Sequence, residues 1–416
     1  MRKKIVVRGP VLSRSGYGEQ TRYALRSLRA YENIFDIYLI PVGWGQTGWM
    51  FEDNEERRWF DFLAKKTGMY AQNGGQFDMS LQVTIPNEWE KIAPVNIGYT
   101  AGIETDKIAP GWVERSALMD RITVISEHAK YGFDNTTYEA TNQQTGEVIP
   151  DFRCTVPVTS VSYPYKHIET QEVSLNLDFD FNFLCVAQWS VRKNLENTVR
   201  GFVEEFKNDE VGLVLKTSCR NNSVIDRAMT NNQLENLLKP YPDRKCKVYL
   251  LHGDMTEEEM TGLYNHPKIK GLVTAAHGEG FGLPIFEAAY NGLPVIAPDW
   301  SGHVDFLYAP KKDKKGNVKN KPHFIKIDYD LAPIQQTAVW DGVLNADSRW
   351  CYPKQQSYQS SLRKLYKDSK MYKGIANKLQ KHIQTEFAAD KMYKKFVEAM
   401  GVKVDEDTTE DLVVFD

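Results

Sequence analysis

The sequence predicts an α/β protein of two domains, each a parallel sheet with helices on both faces. Three observations carry this. The chain has 416 residues, more than one ordinary hydrophobic core serves. Short β-branched runs alternate with segments of helical spacing, as in a parallel sheet wound with crossover helices. That alternation weakens between about 134 and 170 and then restarts, which places a domain junction near 165–175.

In the first half, "KKIVVRGP" reads as a strand. "SRSGYGEQTRYALRSLRAY" follows as a glycine-bearing loop running into a helix. "FDIYLIPVG", "MSLQVTI", "VNIGYTAG" and "RITVISEHA" continue the strands, with helical matter such as "GWVERSALM" between some of them. "NTTYEATNQQTGEVIPDFRC" is polar and turn-rich. In the second half the strands are "FNFLCVAQW", "VGLVLKTS", "CKVYLLHG" and "KGLVTAAHG", separated by the helices "RKNLENTVRGFVEEF", "NQLENLLKPY" and "TEEEMTGLYN". The expected organisation is a first domain over 1–168 and a second over 169–385. A helix at about 386–402 packs back on the first domain, and an acidic tail spans 403–416.

Composition narrows the function classes. Hydrophobic residues make up 42% and charged residues 26%, values typical of a globular protein. A net charge of −3 gives no global electrostatic case for nucleic acid or an anionic membrane. Five scattered cysteines without zinc spacing read as reduced thiols, although Cys154 and Cys185 could be paired by the fold. "MRKKIVVRGP" reads as a first strand and not a signal peptide. No apolar run approaches membrane-spanning length. A cytoplasmic protein is expected.

The chemistry concentrates in "HGEGFGLPIFEAAYNGLPVIAPD", residues 277–299. A buried-type strand ends, glycines permit positive φ and close backbone approach, and Pro284 suits the start of a helix. Gly292 suits a left-handed helix end. The loop therefore delivers a helix N-terminus with bare amides at the carboxyl end of a parallel strand, a site for phosphate. Glu279 in the loop and Glu287 about one turn into the helix fit a phosphate ligand that also carries hydroxyls, because a carboxylate accepts from adjacent sugar OH groups. Arg192 and Lys193 fall at another strand-to-helix loop, where two cations would neutralise a diphosphate leaving group. Lys216, at a strand end, either reaches the same pocket or is simply exposed.

"EGFGLPIFE" resembles the E-x7-E motif of retaining glycosyltransferases of GT-B architecture, family 4 type, and "EAAYNGLPVIAPDWSGHVDFL" resembles that family's continuation. The resemblance implies two Rossmann-like parallel-sheet domains facing a central cleft. It implies that Glu279 binds the transferred sugar and Glu287 the nucleotide ribose, with the backbone of Gly280, Phe281, Gly282 and Leu283 holding sugar and diphosphate. "HGDMTEEEMTGLYN" resembles the family's base-binding turn, and its acidic "TEEE" is good helix-start chemistry in its own right. Gly16 and Gly18 match a family loop near sugar and acceptor, although a plain turn fits equally. Glu104, with Asp106 as second candidate, lies where family members offer a group near the reacting sugar. Ser126 reads as a helix cap.

Asp178 and Asp180, like Asp328 and Asp330, form Asp-x-Asp patterns of the kind that bind metal in another glycosyltransferase architecture. They read here as structural, and no metal site or cofactor is expected. "KKDKKGNVKNKPH" (311–323) reads as a solvated hairpin or loop, and "VGWGQTGW" (42–49) as either an aromatic acceptor wall or a core anchor. The expected function is retaining transfer of a hexose-type sugar from a UDP- or GDP-sugar to a saccharide hydroxyl. Alternatives are a glycosyltransferase acting on a hydroxymethylated base in DNA, a non-catalytic sugar-nucleotide-binding protein, and an NAD-dependent oxidoreductase.

Overall fold

The computed structural model describes residues 2–45, 47–141, 144–312 and 316–404. From residue 405 on, the acidic tail lies outside the described residues, as do 313–315 of the lysine-rich segment and residue 46 of the tryptophan loop. The chain divides into two compact units. Among the described residues, one comprises those up to Pro164, Val339–Ser348 and 387–404. The other comprises Tyr165–Ala338 and Arg349–Glu386. All five cysteines are unbonded, so no disulfide joins Cys154 to Cys185.

In the first unit the chain runs β1 (Lys3–Gly9), α1 (Gly16–Arg29), β2 (Phe35–Pro41), α2 (Glu55–Gln72), β3 (Met79–Val83) and β4 (Val95–Thr100). It continues through α3 (Pro110–Ser116), β5 (Arg121–Val124), α4 (Glu127–Asn135), the hairpin β6 (Thr137–Thr141) and β7 (Val148–Arg153), and β8 (Val158–Ser160). Six of these strands form a parallel sheet in the order β2-β1-β3-β4-β5-β8. The central strands are apolar on both faces because helices cover both. Ile5, Val6 and Val7 are all fully buried.

Two features of this unit depart from the sequence reading. The polar stretch after 134 folds as the antiparallel pair β6–β7. Tyr138 and Phe152 stand opposite one another and pack on the core, so these β-formers decide the local structure despite the polar composition around them. Gly16 and Gly18 do not sit in a loop before α1. They form its first turn, with Ser15 as N-cap accepting from the Gly18 amide at 3.1 Å. A Cβ on Gly18 would lie 1.9 Å from the Ser13 carbonyl oxygen, so the close approach of these backbones requires glycine there. The C-terminal helix Ala389–Ala399 packs on α1, where the Tyr23 hydroxyl donates to the Met392 carbonyl and its ring meets Phe396 at 5.2 Å.

The second unit contains β9 (Asn182–Val186), α5 (Leu195–Glu205), β10 (Gly212–Lys216), α6 (Val224–Leu238), β11 (Lys247–Leu251), α7 (Glu257–Tyr264), β12 (Ile269–Val273), α8 (Leu283–Tyr290) and β13 (Val295–Pro298). A short helix α9 (Val304–Leu307) leads to the hairpin β14 (Tyr308–Lys312) and β15 (Val318–Pro322), then β16 (Ile325–Ile327). The second hairpin is β17 (Tyr329–Pro333) with β18 (Arg349–Pro353), followed by α10 (Gln355–Lys367) and α11 (Ser369–Glu386). Its parallel sheet has the order β11-β10-β9-β12-β13-β16. Counted within the unit this is 3-2-1-4-5-6, the doubly wound order, and chain direction across the sheet reverses between β9 and β12. The helix-side core is aromatic: Phe183, Phe202 and Phe206 are buried with centroids 5.4–6.1 Å apart, and Tyr358 and Leu362 of α10 close over them.

Truncating Phe202, fully buried in this cluster, removes aromatic contacts and leaves a cavity. Phe202→Ala is expected to destabilise the second unit by roughly 3–5 kcal/mol, measured as a lowered urea midpoint for the transition that reports this unit.

Candidate functional site

The switch point of the second sheet is where the sequence-predicted residues converge. Three loops leave the carboxyl ends of neighbouring strands. The loop after β9 carries Arg192 and Lys193, the loop after β12 carries Glu279, and the turn after β13 carries Ser301–His303. Lys193 Nζ lies 2.5 Å from Glu279 Oε1, and Arg192 Nη1 lies 3.1 Å from Glu279 Oε2. Arg192 Nη1 also donates to the Gly278 carbonyl at 2.8 Å. The Glu279 side chain is only 9% exposed. Burial alone would raise its pKa, but the charges of Lys193 and then Arg192 outweigh burial and hold it at about 2. The carboxylate is therefore ionised at neutral pH and has its acceptor oxygens already oriented.

The backbone around Glu279 is clasped as firmly as its side chain. Its amide donates to Ser301 Oγ at 2.9 Å, and its carbonyl accepts from the Gly302 amide at 2.9 Å. Ser301 adopts φ +75° to do this, a conformation non-glycine residues seldom take and one that often marks functional sites. On the other side, Asn194 at φ +54° ends the basic loop, and its side-chain amide donates to the Ala275 carbonyl at 2.9 Å. The His277 amide donates to the Arg192 carbonyl at 2.8 Å. The two loops are thus joined by backbone and side-chain hydrogen bonds as well as by the ion pairs.

Gly282, at φ +90°, is the N-cap of α8, with Pro284 in the first turn. A Cβ on Gly282 would meet Ile285 Cδ1 at 3.1 Å and His303 Cβ at 3.2 Å, so both conformation and space call for glycine. Leu283 opens the helix, while the rings of Phe281, Phe286 and Phe306 pack within 5.1 Å of one another. Gly280 and Phe281 are buried in the turn. Glu287 faces α7, where the Tyr264 hydroxyl donates to Glu287 Oε2 at 2.7 Å. Burial first, then the Glu287 charge, pushes the Tyr264 pKa well up, so this tyrosine stays a donor. Thr256 and Glu259 complete a capping box at the start of α7.

Lys216 takes a different place from the Glu279 cluster. Its ammonium donates to the Gly253 carbonyl in the turn after β11, and burial lowers its pKa. Glu104, Gly16 and Gly18 belong to the first unit. There the Tyr17 hydroxyl, between the two glycines, hydrogen-bonds Thr100 Oγ1 at 2.8 Å and accepts from the Ala101 amide at 3.3 Å. Burial first, with Glu104 as a smaller contributor, raises the Tyr17 pKa. The first turn of α1 and the segment carrying Glu104 and Asp106 therefore meet through Tyr17. Ser126 caps α4, accepting from the Ala129 amide at 3.1 Å. Of the tryptophan loop, Trp44 packs on Tyr17 at 4.5 Å, while Trp49 is half exposed.

The Asp-x-Asp patterns serve surface contacts. Asp178 pairs with Lys247 at 2.9 Å and accepts from Tyr249, and Asp330 pairs with Lys354 at 2.8 Å. Among the described residues no group of three or more His, Cys, Asp or Glu is placed to hold a metal ion, and no helix is long and apolar enough to cross a membrane. Sequence reading passed over Ser301, His303 and Asn194. Their only local signals were a Ser-Gly-His turn two residues after a buried strand and an asparagine, the residue most tolerant of positive φ after glycine, before a helix.

No protein-family model matches the chain. It is 31% identical over 121 residues to the serotype-specific mannosyltransferase WbdA of Escherichia coli, a match covering 28% of this chain and 13% of that protein. In structure it resembles HepE of Anabaena, solved with UDP and glucose, with a TM-score of 0.58, 12% identity and coverage of 96% of this chain and 100% of that one. It also resembles sucrose-phosphate synthase of Thermosynechococcus elongatus, with a TM-score of 0.59, 12% identity and coverage of 95% and 98%. With its two six-stranded parallel sheets, the chain has the GT-B fold that these structures share.

Proposed function

We propose that the chain is a nucleotide-sugar-dependent glycosyltransferase that moves a hexose-type sugar with retention of configuration. One observation carries the reading: a buried, ionised Glu279 flanked by Lys193 and Arg192 at the switch point of a doubly wound sheet, one short turn before a glycine-capped helix. Such a site offers cations and helix amides to a diphosphate and fixed carboxylate acceptors to sugar hydroxyls. That HepE, of the same fold, was solved with UDP and glucose supports the same donor class. An oxidoreductase would carry its glycine loop after the first strand of a unit, whereas here the loop follows the fourth strand of the second unit.

In this proposal the diphosphate lies against Lys193, Arg192 and the α8 N-terminus. Glu279 accepts hydroxyls of the transferred sugar, and Glu287, positioned by Tyr264, accepts those of the ribose. The backbone of Gly280, Phe281, Gly282 and Leu283 lines the donor between them. Lys216 braces the Gly253 turn beside the base. Glu104 lies near the reacting sugar, and the first turn of α1 with Gly16 and Gly18 lies near the sugar and the acceptor, a saccharide hydroxyl. The acceptor oxygen bonds to the anomeric carbon on the face from which the diphosphate leaves. The carbon–phosphate-oxygen bond breaks, and the departing phosphate takes the hydroxyl proton. Lys193 and Arg192 stabilise the charge that develops on the leaving group. Until donor binds, Glu279 holds both cations in place, so no reorganisation of long side chains is needed.

Two measurements test this. Lys193→Ala and Arg192→Ala should each lower turnover with the preferred UDP- or GDP-hexose by about 10²–10³-fold, and turnover within a few-fold of the parent protein would refute the assignment. Glu279 also links stability to pH. Its folded pKa of about 2 lies below the ordinary 4.5, so its contribution is complete above pH 4.5 and is lost as pH falls towards 2. Glu279→Gln should remove that contribution, on the order of 3 kcal/mol, and flatten the acid limb of the stability curve measured by urea unfolding from pH 5 downwards.

A further inference from the structure

The hairpin β14–β15 is a short antiparallel ribbon whose register places Lys311 directly opposite Lys319 and Ala309 opposite Lys321. Directly opposed residues project from the same face of a ribbon, so Lys311, Lys319 and Lys321 share one face, while Lys312 stands on the other opposite Val318. All four lysines are exposed, and no carboxylate among the described residues lies within ion-pair distance of them. Like charges set opposite one another destabilise a hairpin. An anionic partner on that face reverses the effect.

The ribbon is rooted at the candidate site. The Tyr308 hydroxyl donates to both carboxylate oxygens of Asp299, at 2.9 and 3.0 Å, and Lys326 pairs with the same carboxylate at 2.6 Å. The His323 amide returns the second strand to the Leu307 carbonyl at 2.9 Å. Asp299 is two residues before Ser301, which holds the Glu279 amide. A ligand held along the lysine face is therefore attached, through a few hydrogen-bonded residues, to the turn that positions Glu279.

We propose that this face docks the phosphodiester backbone of a nucleic acid. Lys319 and Lys321, two residues apart on one strand, are about 6.8 Å apart, close to the through-space separation of neighbouring phosphates along a nucleic-acid strand, so each ammonium can meet its own phosphate. A two-stranded ribbon is also an element that the major groove of a duplex admits. The segment Tyr308–Pro322 contains no arginine, so its charges act as points on phosphate and do not read base edges bidentately. Exposed Val318 is its only large aliphatic side chain beyond the root, too little apolar surface for the interfacial anchoring a bilayer requires. The proposal rests on the glycosyltransferase reading only for its purpose, which is to hold the donor site beside a polyanion.

The test uses the full chain and a fluorescent DNA duplex of about 24 base pairs, with anisotropy read at roughly 50 and 200 mM NaCl. Three phosphate contacts, one for each lysine of the face, predict a log–log salt slope near −2.7 and a loss of about 40-fold in affinity over that interval. The variant carrying Lys311→Gln, Lys319→Gln and Lys321→Gln should bind at least 10-fold more weakly at the lower salt with a shallower slope, and the three Lys→Arg changes should restore binding. No duplex binding by the parent protein, an unchanged affinity in the Gln variant, or lysine-dependent binding to phosphatidylglycerol vesicles in place of duplex would overturn the proposal. Calorimetry with UDP-glucose and GDP-mannose on the same proteins separates the two readings. Nucleotide-sugar binding without duplex binding defeats the hairpin inference alone. Lysine-dependent duplex binding without nucleotide-sugar binding upholds the hairpin and defeats the donor-site reading.

Discussion

A carboxylate taken out of water must find charge or donors, and Glu279 is where the second unit meets that demand. Its two cations come from the loop after β9, and its backbone partners come from the turn after β13. Three crossover connections of one sheet are thereby fixed to a single residue. The arrangement depends on strand order, because β9 and β12 are neighbours only in a doubly wound sheet. Removing the carboxylate leaves two adjacent cations close to buried surroundings. Removing a cation leaves the carboxylate underpaired. Either change costs more than the intact pair contributes.

The scaffold behind Glu279 extends to the second hairpin. The ring of His277 stacks on Trp350 with centroids 4.9 Å apart and planes 10° apart, and its Nδ1 lies 2.7 Å from the Cys351 carbonyl. The Cys351 amide returns a bond to the His277 carbonyl at 3.1 Å. Burial lowers the His277 pKa despite the carbonyl partner, so the ring is neutral and donates to that carbonyl through Nδ1 at physiological pH. The residue before the glycine loop is thus locked by β18 while Arg192 is tied to it through the backbone. These contacts are remote in sequence, separated by more than seventy residues, and they determine where the loop can lie.

Much of this was legible in the chain itself, and the physical reasons differ by element. The parallel strands were visible because strands buried on both faces become continuous apolar runs. The start of α8 was visible because Gly282 and Pro284 leave few alternatives for the backbone. The convergence of Arg192, Lys193 and Glu279 followed from each lying after the carboxyl end of a strand. The β6–β7 hairpin was missed because its polar composition hides cross-strand pairing that only the partner strand reveals. The first turn of α1 was misplaced because two glycines argue against a helix locally, and the contact with Ser13 that selects glycine at position 18 is tertiary. Ser301 was missed for a related reason: its positive φ is imposed by the Glu279 amide and carbonyl, and nothing in a lone serine announces that conformation.

The two carboxylates of the motif are prepared in different ways, and the difference bears on what each can hold. Glu279 is surrounded by cations, which keep it ionised but compete for its oxygens. Glu287 is met by a neutral hydroxyl on Tyr264, which orients one oxygen without offsetting the charge. A ligand that brings its own anionic groups to Lys193 and Arg192 relieves the competition at Glu279 and frees its lone pairs for hydroxyls. A ligand that carries hydroxyls alone leaves the ion pairs intact and must share the carboxylate oxygens with them. On the proposed function, a ligand that joins phosphate and polyol in one molecule uses both halves of this site, and that coupling would favour a sugar nucleotide over a free sugar.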